Sequence, residues 1–344
     1  MASQRQKNIL NVIQNRGFAS ISEIISDIPD EISIASLNRD LSALLEKQLI
    51  VRAGRARATK YSISPAYKLF FPINVDEYFE KEIDNRRAQT HFNFDIFDVL
   101  ESTSLFNEGE FELFDLLQKK YQENISQYTP TLYQKELERL TIELSWKSSQ
   151  IEGNTYSLLE TERLFLEKEL SPGKPKEDAV MLLNHKKALT FILKNFSKEI
   201  SRGFVETVHD MIIKDLGVSS NLRTRPVGVV GTAYIPLDNV HQIEEAIEKT
   251  CALINRKEKG IEKAFLALLL LSYIQPFEDG NKRTARMIST ALLLAFDMCP
   301  LSYRSIDPIT YKKSMLLFYE QNNIQLFKKI FTDQATFAVK TYFP

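Results

Sequence analysis

The pattern of apolar positions in the first 65 residues predicts three helices followed by two short strands. The third helix is the clearest, and its apolar stripe consists of Leu37, Leu41, Leu44 and Leu45. Ser33 precedes that helix and is a residue type that caps helix N-termini. Alternating residues at 49–53 and 59–63 then predict a β-hairpin joined by a basic loop. We therefore expect a small domain at residues 1–65.

Three helices and a basic hairpin resemble a winged helix-turn-helix domain. The resemblance implies that the third helix enters the major groove of duplex DNA and that the hairpin contacts phosphates. Residues 1–65 contain nine basic and six acidic side chains, an excess of positive charge that favours this partner. The predicted DNA-binding residues are Asn38, Arg39, Arg55, Arg57 and Lys60. Winged helices also serve as protein-docking modules, so that alternative stays open.

Residues 66–130 predict a helical connector rich in Phe and Tyr, in which nothing indicates chemistry. The remainder, 131–344, predicts a second and larger helical domain. Within it, two almost wholly apolar helices at 264–274 and 287–296 flank a short polar loop. These apolar runs are too short to cross a bilayer, so we expect no membrane partner.

The polar loop between these two helices is typical of a site for phosphate groups. Pro276 ends the first helix, and Gly280 lies in an Asp-Gly-Asn turn that lets the backbone approach a ligand closely. A helix that begins again at Lys282 presents unpaired N–H groups to an anion. Arg283 and Arg286 lie one turn apart on that helix, so both guanidinium groups can reach the same anion.

Asp279 lies at the edge of this positive site and is a candidate ligand for a divalent cation, because Mg²⁺ prefers carboxylate and phosphate oxygens. The residues alone therefore predict a polyphosphate site with one metal ion. The alternative is a common turn beside two solvated arginines. We consider this the weaker hypothesis, because several donors converge next to one carboxylate between buried helices.

Residues 275–286 resemble the signature of the Fic family, which reads His-Pro-Phe-x-Asp-Gly-Asn-Gly-Arg-x-x-Arg. The resemblance implies a nucleotidyltransferase that moves AMP from ATP to a Tyr, Thr or Ser hydroxyl of a target protein or of itself, with Mg²⁺ held by Asp279. It also implies these nucleotide-binding residues: Gly280, Asn281, Lys282, Arg283 and Arg286. Phe277 is expected to be buried beneath the loop.

Two positions depart from that signature. Gln275 occupies the position of the catalytic histidine, which takes the proton of the target hydroxyl, and Lys282 occupies the position of a glycine. A glutamine amide is not basic at neutral pH, and loss of a general base costs about 10²–10⁴-fold in rate. We therefore expect weak or absent catalysis with nucleotide binding preserved. Gln275 is either the native residue or an inactivating substitution. The related Doc family also has an Asn-Lys-Arg ending and transfers phosphate, so phosphotransfer stays open.

A second motif precedes the loop, on a helix predicted at 132–153. Its periodicity puts Glu152 on the buried face, where a carboxylate needs a cation. Residues 148–153 match the Fic motif Ser/Thr-x-x-x-Glu-Gly/Asn, in which Ser148 and Glu152 are the fixed residues. The resemblance implies that Glu152 inhibits the enzyme by pairing with Arg286, so that the γ-phosphate of ATP cannot bind there.

Residues 226–236 alternate apolar positions around a Gly-Thr pair and predict a small β-hairpin. In the Fic fold a hairpin at this place, the flap, covers the active site and aligns the target as an added strand. The predicted flap residues are Val229, Val230, Gly231 and Thr232. A plain surface hairpin is the alternative. The predicted fold class is thus mainly α: a winged helix with a hairpin wing, then an all-α Fic domain with a hairpin flap.

Composition changes this picture little. The 344 residues include 44 Lys and Arg against 45 Asp and Glu, which excludes a strongly basic or acidic protein. Two cysteines without metal-ligand spacing fit a reducing compartment, and we expect a cytoplasmic protein without a signal peptide. A homo-oligomer is compatible with the sequence. The competing function from another class is a nucleotide-sensing, DNA-binding transcriptional regulator without catalysis.

Overall fold

The computed structural model describes residues 3–29, 31–55 and 58–343, and it confirms the mainly α fold class. The chain forms two compact units. The first comprises Met1–Ile73 and Gln321–Gln325, and the second comprises Asn74–Glu320 and Leu326–Pro344. Along the described residues, no helix has the length and apolar character that a membrane span requires.

The first unit contains the three helices and the hairpin that the apolar pattern predicts. Its elements are α1 (Gln4–Arg16), α2 (Ile21–Asp27), α3 (Ile34–Glu46), β1 (Ile50–Ala53), β2 (Lys60–Ile63) and the short α4 (Pro65–Lys68). Serine hydroxyls cap the N-termini of the first three helices, at Ser3, Ser20 and Ser33. The two strands are antiparallel, with Ile50 opposite Ile63. The winged-helix resemblance of this unit stays a prediction.

The first unit extends beyond the predicted boundary at residue 65. Phe71 is buried in its apolar cluster, and Tyr67 and Ile73 pack against the same cluster. The amide of Asn323 also donates to the backbone oxygen of Phe71, at 2.8 Å. The predicted connector at 66–130 is therefore shared: residues up to Ile73 pack with the first unit, and the rest belong to the second.

The second unit is built from helices alone. Its helices are α5 (Val75–Glu80), a 3-10 turn (Ile83–Asn85), α6 (Ile96–Ser102), α7 (Glu108–Ser126), α8 (Pro130–Ile151), α9 (Leu158–Leu166), α10 (Lys176–Asn195), α11 (Arg202–Ile213), α12 (Val240–Arg256), α13 (Gly260–Ile274), α14 (Asn281–Ala295), α15 (Pro308–Gln321, which ends in the first unit) and α16 (Gln325–Thr341, which begins there). The predicted helix at 132–153 corresponds to α8, which begins two residues earlier because Thr129 caps it and Pro130 occupies its first turn.

Helices α13 and α14 form the centre of the second unit. Every residue of α13 is buried, as its apolar composition on all sides requires. The two helices pack against each other, α12 packs on α13, and α8, α10 and α11 pack on α14. The loop between them, residues 275–280, is therefore held at both ends by buried helices. Gln275 and Gly280 both adopt left-handed backbone conformations, which reverse the chain direction.

The structure corrects the predicted hairpin at 226–236, which we call the flap segment. Within the described residues the only β-sheet joins β1 and β2. The flap segment turns at Val230 and Gly231, but its two arms do not pair. Instead, the Ile235 N–H donates to the Thr90 oxygen at 2.8 Å, and Arg86 Nη1 donates to the Gly231 oxygen at 2.9 Å. Backbone groups bonded to residues 86–91 are not free to pair across the turn.

Candidate functional site

A cavity of about 430 Å³ lies where the C-terminus of α8 meets the N-terminus of α14, α15 and the flap segment. The predicted site residues that line it are Glu152, Val229, Val230, Gln275, Asp279, Gly280, Asn281, Lys282 and Arg283. Arg286 and Ser148 are fully buried beside it. Gly231 and Thr232 lie on the flap segment but do not line the cavity. The structure thus brings together most of the residues that the two motifs predict.

The N-terminus of α14 opens into this cavity. Gly280 occupies the N-cap position with φ +76°, and the following N–H groups belong to the first helical turn, where no carbonyl of the same helix accepts them. The side chain of Asn281 accepts from the Phe277 N–H at 2.9 Å and donates to the Phe277 oxygen at 2.8 Å. Asn281 therefore fixes the loop with its side chain and leaves its backbone N–H for an anion.

Arg283 has unused hydrogen-bonding capacity beside the cavity. Its Nη2 donates to Asp279 Oδ2 at 2.8 Å, although the guanidinium is almost fully buried and Asp279 is exposed. In the part of the chain that the structure describes, Nε and Nη1 of Arg283 have no hydrogen-bond partner. Burial lowers the pKa of Arg283 against the effect of Asp279, but arginine stays protonated in proteins. Buried donors without a partner are the groups that an anion can satisfy.

Arg286 is held by the end of α8. Its Nη2 donates to Glu152 Oε1 at 2.9 Å and to the backbone oxygen of Ser148 at 2.9 Å. Its Nε donates to Ser148 Oγ at 2.7 Å. The contact between Glu152 and Arg286 that the family motif implies is therefore present, and it includes two oxygens of Ser148.

Lys282 is the second cation on Glu152, a contact that the sequence did not predict. Its Nζ lies 3.4 Å from Glu152 Oε2, so each carboxylate oxygen faces a different cation. Burial opposes the charge of Glu152, but Arg286 and Lys282 outweigh it and lower the pKa of the carboxyl below its usual value. Glu152 is therefore ionised at neutral pH.

The side-chain amide of Gln275 bonds mainly to the end of its own helix. Its Nε2 donates to the Ser272 oxygen at 2.6 Å, and the Tyr319 hydroxyl lies 3.5 Å away. Only 8% of the residue is exposed, at the wall of the cavity. An amide in this place orients polar groups but has no basic atom that takes a proton.

Sequence reasoning missed Arg223 and Tyr234, which position this part of the site. The fully buried Arg223 donates from Nε to the Gln275 oxygen at 2.6 Å and from Nη1 to the Arg225 oxygen at 3.0 Å. The Tyr234 hydroxyl donates to the Tyr273 oxygen at 2.8 Å. Both residues thus satisfy carbonyls near the end of α13. Arg223 lies in an irregular segment without periodicity, and the alternation of the flap segment, which contains Tyr234, does not indicate a partner for its hydroxyl.

A metal ion would have Asp279 as its protein ligand. Among the described residues, no group of three or more His, Cys, Asp or Glu side chains is arranged to hold a metal. Mg²⁺ is usually held by one or two carboxylates, with waters and substrate phosphates completing its six ligands. One exposed carboxylate beside a phosphate site fits a Mg²⁺ ion that binds together with the nucleotide. One carboxylate alone supplies too few ligands for a metal ion that binds without nucleotide.

On the first unit, the predicted DNA-binding residues that the structure describes are exposed: Asn38, Arg39, Arg55 and Lys60. Arg57 lies outside the described residues. Asn38 and Arg39 belong to α3, whereas Arg55 and Lys60 belong to the hairpin region. Long charged side chains held in water are available to phosphates.

Comparisons with known proteins concern mainly the second unit, which contains the cavity. Residues 199–293, which include α11 to α13 and most of α14, match the model of the Fic/DOC family. The protein adenylyltransferase Fic of Nematostella vectensis is 28% identical over 174 residues, which cover 48% of this chain and 40% of that relative. The match thus spans less than half the length of the relative.

Solved structures show the same fold. Fic-1 from C. elegans has a TM-score of 0.58 and 19% identity, and the match covers 68% of this chain and 71% of that one. A Fic domain containing signaling protein from Bacteroides thetaiotaomicron has a TM-score of 0.55 and 20% identity, covering 66% and 96% of the two chains. About two thirds of this chain therefore has the Fic fold.

Proposed function

We propose that this chain is a self-inhibited protein adenylyltransferase, which transfers AMP from ATP to a Tyr, Thr or Ser hydroxyl of a target protein or of itself. The observation that supports it most strongly is the ion pair between Arg286 and Glu152 next to the cavity at the N-terminus of α14. A helix N-terminus, a buried arginine with free donors and a cavity form a site for a polyphosphate. The Fic/DOC match over residues 199–293 supplies the reaction class.

In the reaction, the acceptor hydroxyl loses its proton, to water in the parent and to the imidazole in Gln275→His. Its oxygen bonds to the α-phosphorus of ATP while the bond from that phosphorus to the bridging oxygen breaks and pyrophosphate leaves. Arg283 and the N–H groups that open α14 hold the phosphates and stabilise the charge that develops on them. Asp279 would hold Mg²⁺, which supplies charge neutralisation at the phosphates when it is bound. Phe277 is fully buried and supports the loop.

Two features keep the chain inactive. Glu152 occupies Arg286, so a γ-phosphate meets a neutralised guanidinium and a carboxylate instead of a free cation. Gln275 cannot take the proton of the acceptor hydroxyl, which removes about 10²–10⁴-fold in rate. Removal of the first feature restores binding of the γ-phosphate at Arg286, and removal of the second restores proton transfer.

Four proteins test the proposal: the parent, Glu152→Gly, Gln275→His and the double variant. Each is incubated with a protein extract and ATP labelled on the α-phosphate, with Mg²⁺. We expect strong labelling of protein by the double variant alone, because each single variant retains one block. Absence of labelling in all four, with ATP binding also absent from Glu152→Gly, contradicts the proposal. Labelling from the γ-phosphate but not from the α-phosphate identifies the Doc-like phosphotransferase instead.

A second candidate is a DNA-binding regulator that senses nucleotide through an inactive Fic domain. The exposed basic residues Arg39, Arg55 and Lys60 on the first unit favour it, together with the missing base at Gln275. Binding of duplex DNA that changes when ATP is added, in a protein that labels nothing even as the double variant, supports this candidate. DNA binding together with labelling shows that both functions occur in one chain.

A further inference from the structure

His185 lies next to the inhibitory contact, although neither motif includes it. It belongs to α10 and is fully buried. Its Nε2 is 3.2 Å from Ser148 Oγ, on the side of α8 that faces α10. It does not line the cavity, so it cannot touch a nucleotide there. Its effect on the site must therefore act through Ser148.

The hydrogen bonds around Ser148 determine where each proton lies. A guanidinium only donates, so the Nε–H of Arg286 is the donor in its 2.7 Å bond and Ser148 Oγ is the acceptor. The hydroxyl must place its own proton elsewhere. Within the described residues, the other partner of that oxygen is His185 Nε2. A Ser148 hydroxyl that donates to His185 requires Nε2 to be unprotonated and the neutral ring to have its proton on Nδ1, an atom without a hydrogen-bond partner among the described residues.

The surroundings of His185 keep the ring neutral. Burial lowers the pKa of His185 well below its usual value, and the charges of Arg283 and Arg286 lower it further. A neutral imidazole has one unprotonated nitrogen, and this nitrogen can accept the hydroxyl proton of Ser148.

We propose that His185 is a positioning residue for the inhibited state: by accepting the proton of Ser148, it orients the hydroxyl so that a lone pair faces Arg286. This rests on the proposed function, since it assigns a regulator of the same site. The Nη2 group of Arg286 bonds both the Ser148 backbone oxygen and Glu152, each at 2.9 Å. Arg286 gives up these bonds when its Nε and Nη2 turn toward a phosphate, whereas its Nη1 has no hydrogen-bond partner among the described residues. A freely rotating Ser148 hydroxyl weakens these hydrogen bonds and favours the release of Arg286.

The test compares His185→Leu, which removes the acceptor, with His185→Gln, whose side-chain oxygen can replace Nε2. The binding of ATP with Mg²⁺ is measured by titration calorimetry. We expect His185→Leu to bind ATP about three- to tenfold more tightly than the parent, the effect of one buried hydrogen bond. His185→Gln should restore an affinity close to that of the parent. Ser148→Ala serves as a second variant with the same expected gain, should His185→Leu fail to fold.

The same substitutions are repeated in a Glu152→Gly background. There the ion pair is gone and only the two uncharged oxygens of Ser148 hold Arg286, which a charged phosphate can displace, so His185→Leu should change ATP affinity by less than twofold. A residue with a general structural role would change the affinity equally in both backgrounds, and that result overturns the proposal.

Nitrogen NMR of ¹⁵N-histidine-labelled parent protein gives a readout that does not depend on ATP. His185→Gln identifies the His185 signals by their loss. We expect a neutral ring protonated on Nδ1; protonation on Nε2, or a charged ring at pH 7, overturns the proposal. If Glu152→Gly itself gains no ATP affinity, the self-inhibition on which this inference rests fails, and labelling by the double variant tests the adenylyltransferase activity separately. If Glu152→Gly gains affinity but neither His185→Leu nor Ser148→Ala does, only this inference fails.

Discussion

Glu152 receives one cation on each of its carboxylate oxygens, and this makes it the most informative single residue of the site. Arg286 is fully buried, whereas the Lys282 side chain is 26% exposed and flexible. The buried contact therefore supplies most of the attraction, because water screens an exposed charge more strongly. Where the Fic signature has a glycine, Lys282 adds a second cation to the contact between Glu152 and Arg286.

Glu152→Gln tests the ion pair between Glu152 and Arg286 through the pH dependence of the unfolding free energy. The substitution keeps the shape and removes the charge, and we expect it to lower the free energy of unfolding by about 1–3 kcal/mol at pH 7. The folded-state pKa of Glu152 is lowered from its ordinary 4.5. The stabilisation by its charge is thus complete above pH 4.5 and is lost as the pH falls through the folded value. Urea unfolding of both proteins at pH 7, 5 and 3.5 measures this difference.

The matched control is Glu167→Gln, because Glu167 pairs with Arg163 and both side chains are more than half exposed. It should change the unfolding free energy by less than about 0.5 kcal/mol. A difference between parent and Glu152→Gln that is equally large at pH 3.5 and pH 7 would contradict the ionised pair.

Gly280 is required at the start of α14 for two separate reasons. Its φ is +76°, which costs an L-residue about 1–2 kcal/mol, and an added Cβ would lie 2.8 Å from Ile213 Cγ2 and 3.3 Å from His209 Cε1. Gly173 has nearly the same φ, +75°, with nothing within 4 Å of an added Cβ. We expect Gly280→Ala to destabilise the protein by about 1–3 kcal/mol more than Gly173→Ala. Thermal unfolding of both variants measures this, and equal losses would refute the steric reason.

Individual residues differ in how far the sequence predicts them. Helical periodicity places Glu152 on the buried face of α8, and the resemblance to the Fic motif supplies Arg286 as its partner. The sequence predicts Lys282 only as a nucleotide-binding residue and not as a partner of Glu152, because residue spacing does not determine where a long flexible side chain points. Arg223 occupies an irregular segment, where no periodic pattern distinguishes a buried arginine from a solvated one.

At the scale of elements, the flap segment shows where local pattern stops being informative. Alternation around Gly231 predicted a hairpin because both arms have strand-like periodicity. The same periodicity suits an extended segment that bonds elsewhere, and Ile235 instead forms a parallel bridge with His91. The choice of partner depends on a segment more than 100 residues earlier in the chain. That earlier segment lies in the predicted connector, where the sequence indicated no chemistry.

Arg86 is the side chain that joins these two segments. Its Nη1 donates to the Gly231 oxygen and lies 3.5 Å from Glu320 Oε1, whose side chain is fully buried. We expect Arg86→Ala to increase hydrogen exchange of the backbone amides at 228–235 by about fivefold, the effect of one lost hydrogen bond near 1 kcal/mol. Hydrogen–deuterium exchange with mass spectrometry measures this directly.

The control for this element is Arg256→Ala, which removes an exposed arginine paired with Glu101 on another part of the unit. Exchange in the flap segment should stay at the parental rate in that variant. Unchanged exchange in Arg86→Ala would show that the Ile235 and Thr90 backbone bond alone holds the segment.

At the scale of the whole molecule, the sequence predicted the order of helices better than the grouping of residues into units. Gln321–Gln325, between α15 and α16, belong to the first compact unit. Asn323 and Phe71, whose hydrogen bond helps to close that unit, are 252 residues apart in the chain. Hydrophobic periodicity reports which face of an element is buried, but not which distant segment covers it. The boundary at residue 65 was therefore placed too early for the packing that the structure shows.

The two units also make separable predictions, and the first unit should bind duplex DNA through its surface charge. We expect Arg39→Ala and Lys60→Ala each to weaken binding of unrelated DNA sequences to a similar degree and each to reduce the salt slope by about one counterion, because phosphate contacts release condensed ions. Fluorescence anisotropy with a labelled duplex at 50 to 200 mM salt measures both quantities. Lys119→Ala is the control, since Lys119 is an exposed lysine of the second unit, and it should leave the slope unchanged. Absence of binding at 50 mM salt, or equal effects of all three substitutions, would refute a DNA interface on α3 and the hairpin and would favour the protein-docking alternative.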